Sequence, residues 1–330
     1  RWLQAEGPGV ASFDNESAPS TTVTFSAPGE YTLLLLTEFG GRALTNRVVV
    51  QALDANLPNR VPYQESFETF DLERSPVGVA GWYGTGTDVA TVGPGSQLAS
   101  SGLPILNAPH ERALRVNQSL VNRFEDTAGQ PHLWIDALVE CRPWTGEVLP
   151  EISAGEQFAV LVNSNGHLLV WHDQGAQDGW TELTSVTVTN GQWARITAQA
   201  DYAASAPGMR LWIDGAPITT PSSVFDLAGT HAHAFTEIEI TGAGAVDDLV
   251  VEDYDVLQYR KITATAGPHG SVDPAGEILV PVLGTTSVTA SASNYYHVSQ
   301  LDVDGIAAWT GAAPSRAQVF SNVVSRHTLE

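Results

Sequence analysis

Two neighbouring aspartates, Asp247 and Asp248, interrupt an otherwise apolar run over residues 245–251. A buried carboxylate is costly unless it is paired, hydrogen-bonded or bound to a cation. Calcium takes roughly six to eight oxygen ligands, often carboxylates and backbone carbonyls. Two interpretations stay open: a structural cation, for which Asp248 is the better candidate, or Asp247 and Glu68 as simple solvent-facing residues of alternating strands.

A second pair of carboxylates, Glu237 and Glu239, alternates with isoleucines in a strand-like segment. Residues at i and i+2 share one face of a strand about 6.6 Å apart, and two facing carboxylates are what retaining glycoside hydrolysis requires. Concanavalin-like glycosidases carry acidic residues in such a strand, but the third acidic residue of their pattern is missing. No nucleophile elbow or phosphate-binding glycine loop occurs. We therefore expect a protein that is not an enzyme.

The tryptophans fall into two positional groups. Aromatic rings on a surface can stack on the CH faces of sugars, in the way other ligands use aromatic faces. Four aromatic residues beside Gly or Pro at apparent loop ends could form a carbohydrate platform, or could close a sandwich core as lids: Trp82, Tyr83, Trp144 and Trp180. Four others alternate within strands and are assigned to packing: Trp134, Trp171, Trp193 and Trp212.

Histidine and cysteine give weaker signals. His231 and His233 have a strand spacing that could bind a metal, but no nearby cysteine completes a zinc set. Cys141 is the single cysteine, so no disulfide can form within the chain. We expect it to be a buried, inert thiol.

The charge balance excludes some partners. The chain has 330 residues, with 37 Asp and Glu against 15 Lys and Arg, and a net charge of -22. Such a chain repels phosphate backbones and anionic lipid, so binding to nucleic acid or to a membrane surface is not expected. Its apolar runs, such as Leu33 to Leu36, are far shorter than the roughly 20 residues of a membrane helix. Membrane insertion is therefore not expected.

The hydrophobic pattern predicts an all-β fold class. Short alternating or β-branched runs follow one another, separated by Gly, Pro, Asn and Asp turn signals. No window longer than about ten residues has a helical period. A polar, proline-containing segment and a change of pattern near residue 258 divide the chain. The predicted parts are residues 1–52, a linker at 53–62, residues 63–257 and residues 258–330.

Residues 25–31 (FSAPGEY) resemble the F-x-x-P-G-x-Y corner of PKD-type immunoglobulin-like domains. The resemblance implies that residues 1–52 form a partial Ig-like sandwich whose first strands are absent from this chain. A sandwich that lacks strands leaves a sheet edge and apolar residues uncovered. The residues expected to meet a neighbouring subunit are Thr21, Val23, Phe25, Tyr31, Leu33 and Leu35.

Several segments between residues 63 and 257 together resemble a laminin-G/concanavalin-A-type jelly roll of bacterial surface proteins. They are residues 65–68 (ESFE), 191–197 (GQWARIT), 209–215 (MRLWIDG) and 245–251 (AVDDLVV). In such jelly rolls the opening strand pairs near the closing strand, and acidic residues of both bind a structural ion. The resemblance implies a calcium site formed by Glu65, Glu68, Asp247 and Asp248. It also aligns residues 237–239 with the next-to-last strand of a non-catalytic jelly roll.

Residues 267–276 (GPHGSVDPAG) resemble the start of short bacterial surface repeats, G-x-G-S-V-x-P-x-G. This implies a small C-terminal β domain over residues 258–330. The repeats usually have glycine where this chain has Asn294, and asparagine tolerates a positive φ. Residues 327–330 are expected to stop just before the strand that ends such repeats.

These features predict a structural and adhesive role in a secreted or cell-surface bacterial protein, as a subunit or segment of a fibre or stalk. Its incomplete terminal domains would meet neighbouring copies head to tail, and such contacts build an open filament. A truncated piece of a longer chain would show the same incomplete domains. The alternative function is a carbohydrate-binding jelly-roll module of a secreted polysaccharide-degrading enzyme or adhesin. A fibre needs adhesive β edges, whereas a lectin needs an exposed aromatic platform.

Overall fold

The computed structural model describes most of the chain: residues 1–27, 29–40, 42–52, 57–84, 90–94, 110–125, 130–152, 155–175, 178–228, 236–242 and 244–330. Every regular element in these ranges is a β-strand, which confirms the predicted all-β fold class. Among these residues, none forms a helix of the length and apolarity that crossing a membrane requires.

The N-terminal 52 residues form two small antiparallel sheets. The strands are β1 (Trp2–Glu6), β2 (Ala11–Phe13), β3 (Val23–Phe25), β4 (Gly29–Phe39) and β5 (Arg42–Ala52). β4 lies between β1 and β5, and β2 pairs with β3. Because side chains alternate along a strand, Tyr31 and Leu33 of β4 enter the same small core, where they join Ala11.

The central part contains fifteen of the described strands. They are β6 (Tyr63–Glu65), β7 (Trp82–Tyr83), β8 (Ala90–Pro94), β9 (Arg112–Val116), β10 (Ser119–Arg123), β11 (His132–Glu140), β12 (Ala159–Val162), β13 (His167–Asp173), β14 (Asp178–Thr187), β15 (Trp193–Asp201), β16 (Gly208–Ile213), β17 (Ala216–Pro217), β18 (Phe225–Asp226), β19 (Glu237–Thr241) and β20 (Gly244–Glu252).

These strands build a sandwich. The long sheet follows the order β12-β13-β18-β16-β15-β11-β20-β9-β8, with β6 attached to β20, and the short sheet is β19-β10-β7. Leu114 and Leu249 of the long sheet pack with Trp82 and Leu120 of the short sheet in one core cluster. A second cluster around Leu168 and its neighbours fills the other half. The alternating apolar residues of both sheets therefore form the interior.

Residues 258–330 form a smaller two-sheet sandwich. Its strands are β21 (Tyr259–Ala264), β22 (Gly270–Asp273), β23 (Gly276–Pro281), β24 (Thr286–Ala292), β25 (Val298–Val303), β26 (Ile306–Ala313), β27 (Ser315–Phe320) and β28 (His327–Leu329). One sheet has the order β23-β21-β28-β25-β26 and the other β22-β24-β27. Ile262 and Leu301 of the first sheet pack with Val288 and Phe320 of the second.

Two expectations for this part are wrong. Residues 327–329 were expected to precede a closing strand, but they themselves form β28, which pairs with β21 on one side and β25 on the other. The positive φ expected at Asn294 belongs to the next residue, Tyr295, at 73°. The positive φ therefore falls on a bulky residue, one position after the residue that aligns with the glycine of the repeats.

Candidate metal centre

The aspartates of β20 lie where one edge of this strand changes partner. Residues 244–246 pair with β9, and residues 249–251 pair with β6. Asp247 and Asp248 fall between the two ladders. On this edge the chain is therefore open to side chains that arrive from the ends of β6 and β9.

A β-bulge directs both aspartates to the same place. On the other edge of β20, Leu138 pairs with Asp247 and Asp136 with Val250, so Asp248 and Leu249 together face Ala137 of β11. Asp248 has a left-handed backbone, with a φ of 47°, as the first residue of some bulges does. Adjacent residues normally point to opposite faces of a strand, and the bulge removes this alternation.

His110, just before β9, lies between the two carboxylates. Its Nδ1 is 3.3 Å from Asp247 Oδ2 and 3.6 Å from Asp248 Oδ2. The side chains of His110, Asp247 and Asp248 are 5%, 0% and 1% exposed. The His110 Nε2 atom is also buried and has no hydrogen-bond partner among the described residues. We call these three residues the His–Asp cluster.

Glu68 positions the segment that carries His110. Its Oε1 accepts hydrogen bonds from the backbone N–H of Glu111 at 2.8 Å and of Arg112 at 3.0 Å. The Arg112 guanidinium in turn donates to the backbone carbonyls of Glu68 and Phe70. This reciprocal pairing holds the start of β9 against the loop after β6.

Glu65 also uses a carboxylate oxygen locally, because its Oε1 accepts the N–H of Phe67 at 2.8 Å. Of the four residues predicted to bind calcium, the structure therefore brings Asp247 and Asp248 together with His110. The ligand atoms of Glu65 and Glu68 lie outside that group. Both act on it through charge.

Burial and charge shift the acid–base properties of the cluster. Burial raises the pKa of Asp247, and the hydrogen bond from His110 acts against this. Burial alone would lower the pKa of His110, but the hydrogen bond to Asp247 and the charges of Asp248, Asp247 and Glu68 outweigh it and raise the pKa. Burial raises the pKa of Glu65 as well, and the charge of Asp247 adds to the effect. A positive charge is thus favoured at the centre of the cluster.

The donor set indicates which cation the cluster fits. One imidazole nitrogen and two carboxylate oxygens lie within 4.8 Å of one another. Calcium binds oxygen, whereas zinc, manganese and iron accept imidazole together with carboxylate. The residues present therefore fit a divalent cation that takes imidazole ligands, such as zinc or manganese, better than they fit calcium.

Of the residues predicted to bind carbohydrate, Trp82 is not available for stacking, and Tyr83 has one face of its ring occupied. Trp82 is 0% exposed and packs 5.7 Å from Phe67, centroid to centroid, so it belongs to the core. The Arg123 guanidinium lies 4.4 Å from the ring centroid of Tyr83 and covers one face of it. The interpretation of Trp82 as a platform residue is therefore wrong, because both layers of the sandwich close around the indole.

The other two residues of that set meet on one loop. The Trp144 indole N–H donates to the carbonyl of Val148 at 3.1 Å, and the Trp180 indole N–H donates to Pro150 at 3.2 Å. Trp144 is 36% exposed and Val148 is 78% exposed. The two tryptophans hold this loop against the sandwich, and Trp144 keeps an open surface.

Glu237 and Glu239 lie on the exposed face of β19. Glu237 is 3.6 Å from the Arg123 guanidinium, and Glu239 accepts a hydrogen bond from Ser119. Burial raises the pKa of nearby Glu156, and the charges of Glu239 and Glu237 add to the effect. Both glutamates thus have partners across the neighbouring strand β10.

The last predicted sites are the histidine pair and the single cysteine. His231 and His233 lie outside the described residues. Cys141 is buried, and burial raises the pKa of its thiol to about 12, so the thiolate is disfavoured near neutral pH.

The residues expected to meet another subunit are partly interior. Tyr31 and Leu33 are 0% and 3% exposed, and the chain's own residues cover them. Tyr31 packs 4.5 Å from Phe25, centroid to centroid. Thr21, Val23, Phe25 and Leu35 are half-buried. The expectation that Tyr31 and Leu33 await a partner's strands is therefore wrong.

Sequence reasoning missed His110 and found its two partners. An apolar run broken by acidic residues is visible in the sequence, but His110 lies 137 positions before Asp247. Only the pairing of β9 with β20 brings them together. The proline before His110 was the sole local signal of a strand start.

No family model and no curated protein matches the chain. Three similar solved structures are the globular domain of T. cruzi calreticulin (13% identity, TM-score 0.35, 59% of this chain and 90% of that chain), the catalytic domain of a glycoside hydrolase family 131 protein from Coprinopsis cinerea (17%, 0.31, 59% and 92%) and a heptameric SAP-like pentraxin from Limulus polyphemus (17%, 0.28, 46% and 74%). At these scores and identities, neither a site nor a function is transferred from them. The chain is an all-β protein with a buried His–Asp cluster.

Proposed function

We propose that this chain is a non-enzymatic structural and adhesive protein, secreted or on a bacterial cell surface, whose central sandwich is held by a buried cation site. The observation that supports this proposal is the burial of the His–Asp cluster, with exposures of 5% or less. A substrate has no access to such groups. Their position between β6, β9 and β20 supports a role in holding these strands together.

The identity of the cation depends on which ligands are given weight. The family resemblance implies calcium, whereas the imidazole of His110 supports zinc or manganese. Without a metal ion, a protonated His110 supplies the positive charge that the two aspartates require. In either state Glu68 fixes the approach of His110 through the amides at residues 111 and 112.

Thermal melting of the full chain tests whether the His–Asp cluster binds a divalent cation. After treatment with a chelator, Zn²⁺ or Mn²⁺ should raise the melting temperature, because a ligand at about 100 times its Kd stabilises the native state by about 2.7 kcal/mol. The variants His110→Asn and Asp247→Asn should lose this response. His132→Asn is a matched control, since His132 is 44% exposed and lies 3.3 Å from the carboxylate of Asp201.

The outcomes separate the alternatives. A rise with Ca²⁺ that survives His110→Asn would identify the calcium site implied by the resemblance. The absence of a rise with all three ions would show that none of them stabilises the cluster, and the cation proposal would fail.

Association with neighbouring copies is proposed to use β5. This strand is an edge of its sheet among the described residues. Leu44, Val48 and Val49 of β5 are 62%, 41% and 51% exposed. A long apolar edge is a template for strand addition. Sedimentation velocity should show concentration-dependent oligomers that Val49→Lys disperses; a monomeric wild-type chain would contradict this part.

Carbohydrate binding is the second candidate function. The exposed surface of Trp144, next to Val148 and Leu149, supports it. Leu149 is 38% exposed, so the loop presents an apolar surface that a sugar ring could cover.

A further inference from the structure

The C-terminal sandwich presents aromatic residues on two adjacent turns. His269 precedes β22, and Tyr295 and Tyr296 precede β25. The rings of His269 and Tyr296 are stacked, with centroids 4.2 Å apart and an interplanar angle of 7°. The Ser293 N–H donates to the His269 carbonyl at 2.8 Å and ties the turns together. We call His269, Tyr295 and Tyr296 the aromatic tips.

Two of the three residues have a left-handed backbone. The φ angles of His269 and Tyr295 are 68° and 73°. Histidine is among the residues that tolerate this region, whereas a bulky residue such as Tyr295 is a true outlier there, and glycine would adopt the same φ without strain. The Tyr295 side chain is 105% exposed, so burial does not offset the strain. Strained residues cluster at functional sites, so the exposed aromatic ring of Tyr295 is a candidate for recognition.

A row of hydroxyl groups lies beside the tips. Along β24, Val288 and Ala290 enter the core, so Ser287, Thr289 and Ser291 lie on the outer face. The strand register then aligns three serines across β22, β24 and β27: Ser271, Ser291 and Ser315. Ser271 is two residues after His269, and Ser291 is two residues before Ser293. The row therefore starts at the aromatic tips.

We propose that the aromatic tips and this serine row bind a neutral carbohydrate chain. The ring of Tyr295 would stack on the CH face of one sugar, and the serine hydroxyls would exchange hydrogen bonds with the sugar hydroxyls that follow. The net charge of -22 disfavours an anionic glycan. Arg316 pairs with core-facing Ala290, so it lies on the other face of the sheet from the row, 5.5 Å over the Trp309 ring. This site shares its ligand class with the second candidate function above, but it shares no residue with that site or with the cation site.

Affinity electrophoresis of the full chain tests this inference. The gels would contain one of four neutral polysaccharides: a β-glucan, a xylan, a mannan or a galactan. At least one should retard the wild-type chain. Tyr295→Gly should weaken that binding about tenfold or more, as expected when a central aromatic contact is lost. The same variant should raise the melting temperature, because glycine relieves the backbone strain. Tyr295→Phe should keep the retardation.

Leu283→Gly is the matched control. Leu283 also has a left-handed backbone, with a φ of 62°, and is 64% exposed in the same sandwich. Its replacement should raise the melting temperature as well but leave binding unchanged. The inference is overturned if none of the four polysaccharides retards the wild-type chain, or if Tyr295→Gly still binds. It also fails if Trp144→Ala abolishes binding while Tyr295→Gly does not, or if Tyr295→Gly only changes self-association in sedimentation.

Discussion

Asp248 and Tyr295 share a backbone conformation but lie in opposite surroundings. Their φ angles are 47° and 73°, in the region that glycine adopts most readily. Asp248 is 1% exposed inside the central sandwich, and Tyr295 is 105% exposed on a turn of the C-terminal sandwich. In the first case strain directs a carboxylate towards a buried histidine. In the second it directs an aromatic ring into solvent.

The difference shows that burial determines how the strain of a left-handed backbone is compensated. At Asp248 the bulge brings two carboxylates to His110, so the strained turn is compensated by electrostatic contacts inside the fold. At Tyr295 the fold supplies no burial, so compensation has to come from a ligand or be absent. We therefore connect the buried residue with stability and the exposed residue with recognition. The following variants test this contrast.

The largest effect is expected for Trp82→Ala. Trp82 is 0% exposed between the two sheets, so its truncation should lower the free energy of unfolding by about 3–5 kcal/mol. Trp144→Ala, at a half-open site, should lower it by about 1 kcal/mol or less, in the range typical of surface changes. Urea unfolding measures both. If Trp144 binds carbohydrate, its variant alone should lose retention on polysaccharide; a Trp82→Ala cost below about 1 kcal/mol would contradict the core assignment.

Glu252, at the end of β20, should make the stability of the folded chain depend on pH. It is 1% exposed, its Oε2 atom is buried without a hydrogen-bond partner among the described residues, and Arg326 is 4.0 Å from Oε1. Burial raises its pKa from 4.5 to about 7, against the charges of Arg326 and Lys261, while Asp253 and Glu277 raise it further. The folded chain thus holds this proton up to a higher pH than the unfolded chain does.

The sign of the effect follows from proton binding. Between pH 4.5 and about 7, the folded state binds more protons at Glu252 than the unfolded state, so stability falls as the pH rises through this range. Glu252→Gln cannot ionise and should be more stable than wild type above pH 7, by about 3 kcal/mol. Glu147→Gln is a control, because Glu147 is exposed and is not among the charges that shift the pKa of Glu252. Equal pH profiles for wild type and Glu252→Gln would contradict this assignment.

The smallest effect tests the comparison directly. Replacing Tyr295 by glycine should stabilise the chain by about 1 kcal/mol, because glycine has no Cβ and adopts the left-handed conformation without steric strain. Replacing Asp248 by glycine relieves the same strain but removes a carboxylate next to buried His110, so the net change should be destabilising. Urea unfolding of both variants, with Leu283→Gly as the reference, measures the signs. Equal signs for Asp248→Gly and Tyr295→Gly would show that burial does not separate the two sites.

The all-β class could be predicted because alternating apolar residues and turn signals are local features. The same holds for Asp247 and Asp248, since acidic residues within an apolar run stand out in one segment. His110 could not be predicted, because its contact depends on which strands pair and on a bulge that shifts the alternation. Long-range register is not encoded in a short pattern.

The aromatic residues show a second limit. Trp82 and Trp144 have similar Gly or Pro neighbours in sequence, yet one is 0% and the other 36% exposed. Which loop-end ring closes the core depends on how the two sheets pack. The offset between Asn294 and Tyr295 has a similar cause, since the position of a positive φ is fixed by the hydrogen bonds of the turn, here from Tyr296 N–H to the Ser293 carbonyl.

Metal analysis of the natively purified chain tests the central claim most directly. Inductively coupled plasma mass spectrometry should find about one equivalent of a divalent cation in the wild-type protein, zinc or manganese rather than calcium. Asp247→Asn and His110→Asn should carry none, while His132→Asn should retain the wild-type amount. A wild-type protein without bound cation, both as purified and after exposure to Zn²⁺, Mn²⁺ and Ca²⁺, would contradict the proposal that a buried cation holds the central sandwich.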